Sequence, residues 1–290
     1  MPSTQSIRAT QLRGVPETLM ITLYARAIEN QQTNSILHDA KAVEIIQQLD
    51  YDFSKFKQGW SSQLACVIRA GQMDRMVQNF IKTHPYAVIV NLGAGLCTRF
   101  SRLQTAHVHW YDVDFPDVID LRRQVFEACD SCSQDGSDNN YLIAKSILDC
   151  SWMDEVDRES KQPMMIIYEG VAMYLTAAEN QALLQHIQTR FGSIEVLFDV
   201  ISQRVARSTS THDTVSKTSA GFKWGINQSL DLERWGPGFI LKREEFYLQH
   251  FLDDLQRLPT VWRLISQILP SLPIMLFKNS GRIVGLQVGL

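Results

Sequence analysis

The sequence has no apolar run that reaches the ~18 residues needed to cross a bilayer, and its N-terminus lacks the charged-then-apolar pattern of a secretory signal. Its five cysteines are odd in number and show no framework spacing, so a disulfide-stabilised secreted domain is not expected. The formal net charge is −3 and there is no block of like charge, which argues against a nucleic-acid-binding surface. We therefore expect a cytoplasmic protein with reduced thiols and no membrane or nucleic-acid partner.

The cysteines and histidines do not show the spacing of a metal-binding site. Cys129 and Cys132 have half the spacing of a zinc site, but no second pair accompanies them. His107 and His109 share one face of a predicted strand, with no carboxylate or third histidine near them in sequence, and we interpret them as structural. We expect no metal cofactor.

The first part of the chain has helical apolar spacing and no clear strand between residues 17 and 82. One predicted apolar face contains Ile36, Leu37, Ala40, Val43, Ile46 and Leu49, and another contains Leu64, Val67, Ile68, Met76 and Phe80. We predict that residues 1–84 form a helical N-terminal part that contributes to the active site.

From residue 86 onward, short apolar runs alternate with helical segments. Runs that are apolar throughout are typical of strands buried on both faces of a parallel sheet, so we predict strands at 86–92, 107–113, 140–144, 163–168 and 194–200. Helices are predicted at roughly 97–104, 116–129 and 176–191, the last with a Thr176/Glu179 capping box. The alternation predicts a doubly wound α/β fold over residues 85–290.

Two features depart from simple alternation. The apolar runs 273–278 and 282–289, joined by Asn279-Ser280-Gly281, predict an antiparallel β-hairpin at the end of the sheet. Residues 202–224 are polar, Ser/Thr-rich and aperiodic, which is typical of a lid or binding loop, and we predict a lid insertion at about 202–238. Five parallel strands followed by an antiparallel hairpin are the plan of a Rossmann-like class I methyltransferase sheet.

A glycine-containing turn follows the first predicted strand of the sheet. In Asn91-Leu92-Gly93-Ala94-Gly95 the glycines would let the backbone approach a ligand closely at the carboxyl end of that strand. The third glycine of a dinucleotide fingerprint is replaced by Thr98, and no Tyr-x-x-x-Lys group is present. A nicotinamide-dependent oxidoreductase is therefore the less favoured hypothesis.

Acidic residues follow two other predicted strands. Asp114 lies 19 residues after Gly95, a distance at which an acid accepts hydrogen bonds from ribose hydroxyls, although Asp112 or Asp114 could instead cap the following helix. Glu169 follows the fourth predicted strand, where a carboxylate would face a cationic cofactor, and its alternative role is a structural ion pair.

Several blocks, in order over roughly residues 20–238, resemble the leucine carboxyl methyltransferase family, and in particular its bacterial branch. The blocks are YARAIE (24–29), VNLGAGLCTRF (90–100), WYDVDFPDVIDLRR (110–123), YLIAKSILDCSW (141–152), IIYEGVAMYL (166–175) and FKWGINQSLDLERWGPG (222–238). The resemblance implies an O-methyltransferase that uses S-adenosylmethionine and modifies a polyketide-like or other small molecule at a phenol, hydroxyl or carboxylate oxygen. Methylation of a protein C-terminus and a catalytically silent cofactor-binding module are the alternatives.

The resemblance also implies which residues hold the cofactor. Arg69 would pair with its carboxylate, Gly93 would pack against its methionine part, and Glu169 would lie near its amino group and sulfonium. The complete implied set is Arg69, Gly93, Ala94, Gly95, Asp114, Ser146, Ile147 and Glu169. Ser146 and Ile147 would flank the adenine.

The chain departs from the family pattern at two positions. The family usually has an acid where this chain has Cys97, and another where it has Ser146; a neighbour such as Asp149 could take the place of the second. A hydroxyl acceptor would need a base, for which His212, Arg204 and Tyr174 are the candidates, and we expect His212 and Arg204 to contact the acceptor. Tyr24 is also expected to line the acceptor pocket.

Overall fold

The computed structural model describes residues 7–8, 12–103, 105–129, 139–247 and 280–289. Within these ranges, a seven-stranded sheet is covered by helices, as predicted for the α/β fold. Its strands are β3 (Val88–Leu92), β4 (His109–Asp114), β5 (Asn140–Ala144), β6 (Met164–Tyr168), β7 (Ile194–Ile201), β8 (Ile240–Phe246) and β9 (Gly281–Val288). The five predicted parallel strands are confirmed to within about two residues. A separate two-residue pairing joins β1 (Ile7–Arg8) to β2 (Leu49–Asp50).

The strand order is β5-β4-β3-β6-β7-β9-β8. The first five strands are parallel, and β9 is antiparallel to both of its neighbours, β7 and β8. The chain leaves β3 toward β4 on one side and later returns to β6 on the other, so the order reverses at β3. Ligands of open α/β sheets bind outside the carboxyl ends of the strands at such a reversal, which places the expected site after β3, β4 and β6.

The sheet ends in antiparallel strands, as predicted, and one of them, β8, lies outside the predicted strands. One edge of β9 pairs with β7 along residues 194–201, and the other pairs with β8 along residues 240–246. Both described partners of β9 are thus β7 and β8. Residues 273–278, the first half of the predicted hairpin, lie outside the described residues, as does Cys132. Strand β8 carries no apolar signal from which it could be predicted, because its residues, ILKREEF, are mostly charged and largely exposed at the sheet edge.

Two helices begin where the local chemistry predicts. Pro116 occupies the first turn of its helix, and Thr176 and Glu179 form both hydrogen bonds of the predicted capping box. The described α-helices are α1 (Leu19–Glu29), α2 (Ala40–Gln48), α3 (Trp60–Thr83), α4 (Arg99–Arg102), α5 (Pro116–Glu127), α6 (Ala177–Phe191) and α7 (Gln203–Ala206). Within the described ranges, no helix combines the length and apolar character that crossing a membrane would need.

Both faces of the sheet are covered. The β3 residues Val88 and Val90 belong to the cluster on the α6 face, whereas Ile89 lies in the cluster that includes the apolar side of α3. A third cluster joins α1 and α2 to α5. This packing fixes α1 and α3 directly beside the carboxyl ends of the central strands, where the two helices form one wall of the site.

The segment predicted as a lid is held against the sheet by backbone hydrogen bonds. The amides of Lys223 and Trp224 both donate to the carbonyl of Met173, at 2.8 and 3.2 Å, and the amide of Ile226 donates to the carbonyl of Ile201 at 2.8 Å. Between these points and β7 lie α7 and two short turns, at Thr209–Thr211 and Val215–Lys217. The segment therefore folds over the carboxyl edge of the sheet beside α3.

Candidate active site

The glycine turn after β3 has the geometry that only glycine adopts easily. Gly93 and Gly95 have φ angles of 65° and 48°, in the left-handed region. A Cβ atom on Gly93 would overlap the side chain of Val171. The amides of Gly93 and Ala94 donate to the carbonyl of Val113 at 2.8 and 3.2 Å, so the turn bends toward the end of β4. The backbone is thereby open to close approach by a ligand.

The two acids of β4 have different roles. Asp112 is fully buried and accepts hydrogen bonds from the side chains of Asn91, Trp110 and Arg122, which assigns it to the core. Asp114 lines a cavity beside the glycine turn, where it accepts from the amide of Gly95 at 2.7 Å. Burial raises the pKa of Asp114 to about 6, so its carboxylate is ionised at neutral pH and retains lone pairs for a further donor.

Glu169 and Arg69 form an ion pair at the centre of the site. Glu169 Oε1 accepts from Arg69 Nε at 2.9 Å, and Glu169 Oε2 accepts from Arg99 Nη2 at 2.5 Å. Although burial acts in the opposite direction, these two guanidinium groups lower the pKa of Glu169 to about 2. Arg69 also contacts Asp199 at 3.1 Å, and the Tyr247 hydroxyl donates to Asp199 at 2.7 Å. The pair is therefore fixed in orientation from both sides.

This pair belongs to a longer buried network in which arginines and carboxylates alternate. Four guanidinium groups meet four carboxylates, so the network is electrically balanced. Its members are Arg26, Asp39, Arg102, Asp74, Arg99, Glu169, Arg69 and Asp199. Of these eight residues only Arg69 and Glu169 are predicted from the sequence, Glu169 by its place after a predicted strand and Arg69 by the family resemblance; no role is predicted from the sequence for the other six.

The cofactor residues implied by the sequence resemblance lie around one cavity. Its walls include all eight of them: Arg69, Gly93, Ala94, Gly95, Asp114, Ser146, Ile147 and Glu169. Further residues that the resemblance did not imply also line the same cavity, among them Arg26, Arg99, Phe115 and Lys223. The glycine turn, the ion pair and the acid of β4 are thus brought together as expected at the reversal of strand order.

The departures from the family pattern also lie at this cavity. Cys97 and Ser146 both line it, and Arg99 Nη1 lies 3.8 Å from Cys97 Sγ. Asp149 does not take the place of an acid at position 146, because its exposed carboxylate accepts from the amide of Ser151 and caps the turn Cys150–Asp154. Asp149 is not among the residues that line the cavity, whereas Ser146 lines it beside Ile147 and Leu148. The polar group available at position 146 is therefore the serine hydroxyl.

A second cavity of about 420 Å³ adjoins the first. The two share Thr18, Thr22, Arg69, Gly170 and Tyr174 as a common wall. The second cavity has a largely apolar lining that includes Trp60, Leu64, Ile68, Met173, Ile201, Val205, Val215 and Phe222. An apolar cavity with a few polar groups is the usual form of a small-molecule site.

Two of the predicted acceptor residues lie in this second cavity. Tyr174 lines both cavities, and burial raises the pKa of its hydroxyl above the usual value. His212 lies in the segment predicted as a lid, where burial lowers the pKa of its imidazole. Its Nδ1 is 3.3 Å from the amide nitrogen of Val215, which can only donate, so the neutral ring carries its hydrogen on Nε2.

The other two predicted acceptor residues do not line either described cavity. Arg204 is exposed on α7, because the first turn of the lid directs this long charged side chain to solvent. Tyr24 is buried on α1, where its ring stacks on Phe53 with centroids 5.8 Å apart. The expectation that Arg204 and Tyr24 contact the acceptor is therefore not supported, and Tyr24 belongs to the core between α1 and the turn at Phe53–Phe56.

Comparisons with known proteins agree with this arrangement. Residues 19–188 match the family model for leucine carboxyl methyltransferase. The tetracenomycin polyketide synthesis O-methyltransferase TcmP of Streptomyces glaucescens is 33% identical over 235 residues, which cover 81% of this chain and 83% of TcmP. The S-adenosyl-L-methionine-dependent methyltransferase dpfgK of Gibberella zeae is 28% identical over 265 residues, which cover 83% and 85% of the two chains. A solved structure from Thermobifida fusca shares the fold, with a TM-score of 0.57, 11% identity and coverage of 100% and 98%.

Proposed function

The chain belongs to the leucine carboxyl methyltransferase family and is an S-adenosylmethionine-dependent methyltransferase, and on that premise we propose that it methylates a carboxylate oxygen of a polyketide-like small molecule. The observation that carries the proposal is the meeting of two cavities at Arg69, Gly170 and Tyr174. One cavity has the polar groups that a cofactor requires, and the other is apolar and covered by a lid.

The first cavity fits the cofactor chemically. Arg69 and Glu169 present a guanidinium and a carboxylate side by side, 2.9 Å apart, which complements the carboxylate and ammonium of an amino acid. Asp114 has lone pairs available for ribose hydroxyls, and Ser146 and Ile147 offer a polar and an apolar contact for adenine. S-adenosylmethionine, when bound, supplies a methyl group activated by a sulfonium.

The residues around the cavities position the acceptor and exclude water. The side chains of Met173 and Phe222 form an apolar wall of the second cavity beside Tyr174. An acceptor oxygen bound against this wall is therefore shielded from bulk water. Alignment of an acceptor with an electrophile in a closed site can supply ~7 kcal/mol or more of the barrier. The hydrogen bonds of Arg69 to two carboxylates keep this wall rigid while the acceptor is held.

The protonation states of the nearby groups favour a carboxylate acceptor. A carboxylate is ionised at pH 7 and needs no base, whereas a phenol must lose a proton. Tyr174 is protonated at neutral pH, so its hydroxyl can donate to an acceptor but cannot serve as a base. The lone pair of His212 at Nδ1 already accepts from the Val215 amide.

The proposal is tested by methyl transfer from cofactor labelled with tritium in the methyl group. The acceptors are fused-ring aromatic carboxylic acids, the matching phenols that carry a hydroxyl at the same position, and a peptide with a C-terminal leucine. We expect labelled product from the carboxylic acids, and we expect alkali to release the label as methanol because the product is an ester. Alkali-stable label from the phenols would instead identify a hydroxyl acceptor, and label on the peptide alone would refute a small-molecule function.

A further inference from the structure

Helix α3 begins without a capping side chain of its own. Its N-cap residue is Gly59, and the first N–H groups of any helix have no partner within the helix. The position is normally served by Ser, Thr, Asp or Asn, whose side chain accepts from the amide two or three residues later. In this protein the acceptor comes from the lid: Asp213 Oδ2 accepts from the Ser62 amide at 3.3 Å, three residues after Gly59.

The contact between Asp213 and α3 includes more than one hydrogen bond. Asp213 Oδ2 also accepts from Ser61 Oγ at 2.7 Å, and Asp213 Oδ1 accepts from Ser62 Oγ. A carboxylate at the N-terminus of a 24-residue helix is further stabilised by the partial positive charge of the helix dipole. Asp213 thus performs for α3 the role of an N-cap, from a residue about 150 positions away in sequence.

Glycine at position 59 makes this approach sterically possible. A Cβ atom on Gly59 would overlap Cγ2 of Thr214 and would lie 3.7 Å from Cγ of Asp213. Its φ of −84° is open to any residue, so what glycine provides here is space and not backbone freedom. Thr214 is fully buried in this contact. Glycine at position 59 therefore leaves room for Thr214 of the lid to pack against the start of α3.

The contact closes the second cavity at one side. Asp213 lines that cavity together with His212 of the lid and with Trp60 and Cys66 of α3. We propose that Asp213 is a positioning residue, which holds the lid over the second cavity by capping α3 in trans. The importance of this closure for methyl transfer rests on the proposed function, but the closure itself can be measured without an acceptor.

The measurement uses Cys66 as a reporter beneath the lid. Alkylation of Cys66 by N-ethylmaleimide is followed by mass spectrometry at pH 8, with saturating S-adenosylhomocysteine to occupy the first cavity, and Cys150, which lines neither cavity, is the internal reference. We expect Asp213→Ala to accelerate alkylation of Cys66 about tenfold. Asp213→Asn, whose amide oxygen still accepts, should remain within about threefold of the parent.

Two further variants separate the cap from other effects. Asp52→Ala removes a cap of the same chemistry, one that Asp52 forms in cis with the Ser54 amide, and it should leave Cys66 unchanged. Gly59→Ala acts on the other side of the contact and should also accelerate alkylation, because its methyl group displaces Thr214.

Several results would overturn the proposal. Unchanged Cys66 alkylation in both Asp213→Ala and Gly59→Ala would mean that the contact does not hold the lid. Equal acceleration in Asp213→Asn and Asp213→Ala would assign the effect to the charge of Asp213 and not to its capping. If Asp213→Ala fails to fold, the double variant Ser61→Ala/Ser62→Ala, which removes two hydroxyl donors, should still raise the rate. Failure of methyl transfer to aromatic acids, with these rates as expected, would refute the proposed function alone.

Discussion

Replacement of Glu169 by glutamine tests the buried ion pair with the least change in shape. The substitution keeps the side-chain volume but removes the negative charge that Arg69 and Arg99 contact at 2.9 and 2.5 Å. Both arginines keep another carboxylate, because Arg69 still contacts Asp199 and Arg99 still contacts Asp74. The cost should therefore lie near the low end of the ~3–5 kcal/mol range for breaking a buried pair.

The pKa of Glu169 gives the same magnitude and its pH dependence. A carboxyl pKa of 4.5 when unfolded and about 2 when folded corresponds to ~3 kcal/mol of folding stability at neutral pH. Because the folded-state pKa is lowered, this contribution is fully present above about pH 4.5 and is lost as the pH falls toward 2. The destabilisation caused by Glu169→Gln should thus be largest at neutral pH and should decrease by ~1 kcal/mol at pH 3.5.

Urea denaturation at pH 7 and pH 3.5, followed by circular dichroism, measures both quantities. Glu155→Gln is the matched control, because Glu155 contacts Lys145 at 2.6 Å but its side chain is 48% exposed. An exposed pair of this kind contributes at most ~1 kcal/mol. If Glu169→Gln lowers the free energy of unfolding no more than Glu155→Gln does, or if its effect is the same at both pH values, the stabilising role of the ion pair is refuted.

Four further predictions concern ligands. Arg69→Lys keeps a charge but loses the planar fork, so titration calorimetry should find S-adenosylhomocysteine affinity reduced about 10- to 100-fold; an unchanged affinity would remove Arg69 from the cofactor site. Burial raises the pKa of Asp114 to about 6, so the affinity for S-adenosylhomocysteine should be constant above pH 6 and fall up to about tenfold per pH unit below it. A flat affinity profile from pH 5 to 8 would exclude a cofactor contact that needs the ionised Asp114 carboxylate. Ser146→Asp restores the acid usual in the family and should strengthen cofactor binding about threefold to tenfold, measured by thermal shift, with weaker binding as the contrary result. Replacing residues 207–219 with a short Gly/Ser link should greatly reduce methyl transfer but leave cofactor affinity nearly intact, and full activity would show that this part of the lid is dispensable.

The parallel part of the fold could be predicted because each strand carries its own signal. The run at Val88–Leu92 is apolar except for Asn91, since both faces of that strand are buried. The capping box at Thr176 marks the start of α6 locally. Gly93, Gly95 and Asp114 could be predicted to lie together because they stand at the carboxyl ends of strands that meet at one edge of the sheet, and they line one cavity. The resemblance then added Arg69, which no local pattern indicates.

The remaining features depend on contacts between distant segments. Tyr24 was expected in the acceptor pocket from its block alone, but Phe53 and Phe56 pack against its ring and place it in the core. The contact between Asp213 of the lid and Ser62 joins residues about 150 positions apart, and no local sequence pattern indicates that they meet. Strand β8 was missed for a related reason: a charged edge strand is recognised by its pairing with β9 and not by its composition.

The position of β9 has a consequence for how the chain folds. This strand follows β8 in the chain but lies between β7 and β8 in the sheet, so the sheet cannot be completed in the order in which the chain is synthesised. Until residues 281–288 are available, β7 presents an unpaired apolar edge and β8 has no partner, and open edges of this kind favour aggregation. Insertion of β9 joins distant parts of the chain, so we expect it to be a late and slow step in folding. Because Ser280 directly precedes this strand and lines the second cavity, the proposed acceptor site is completed only when that step is over.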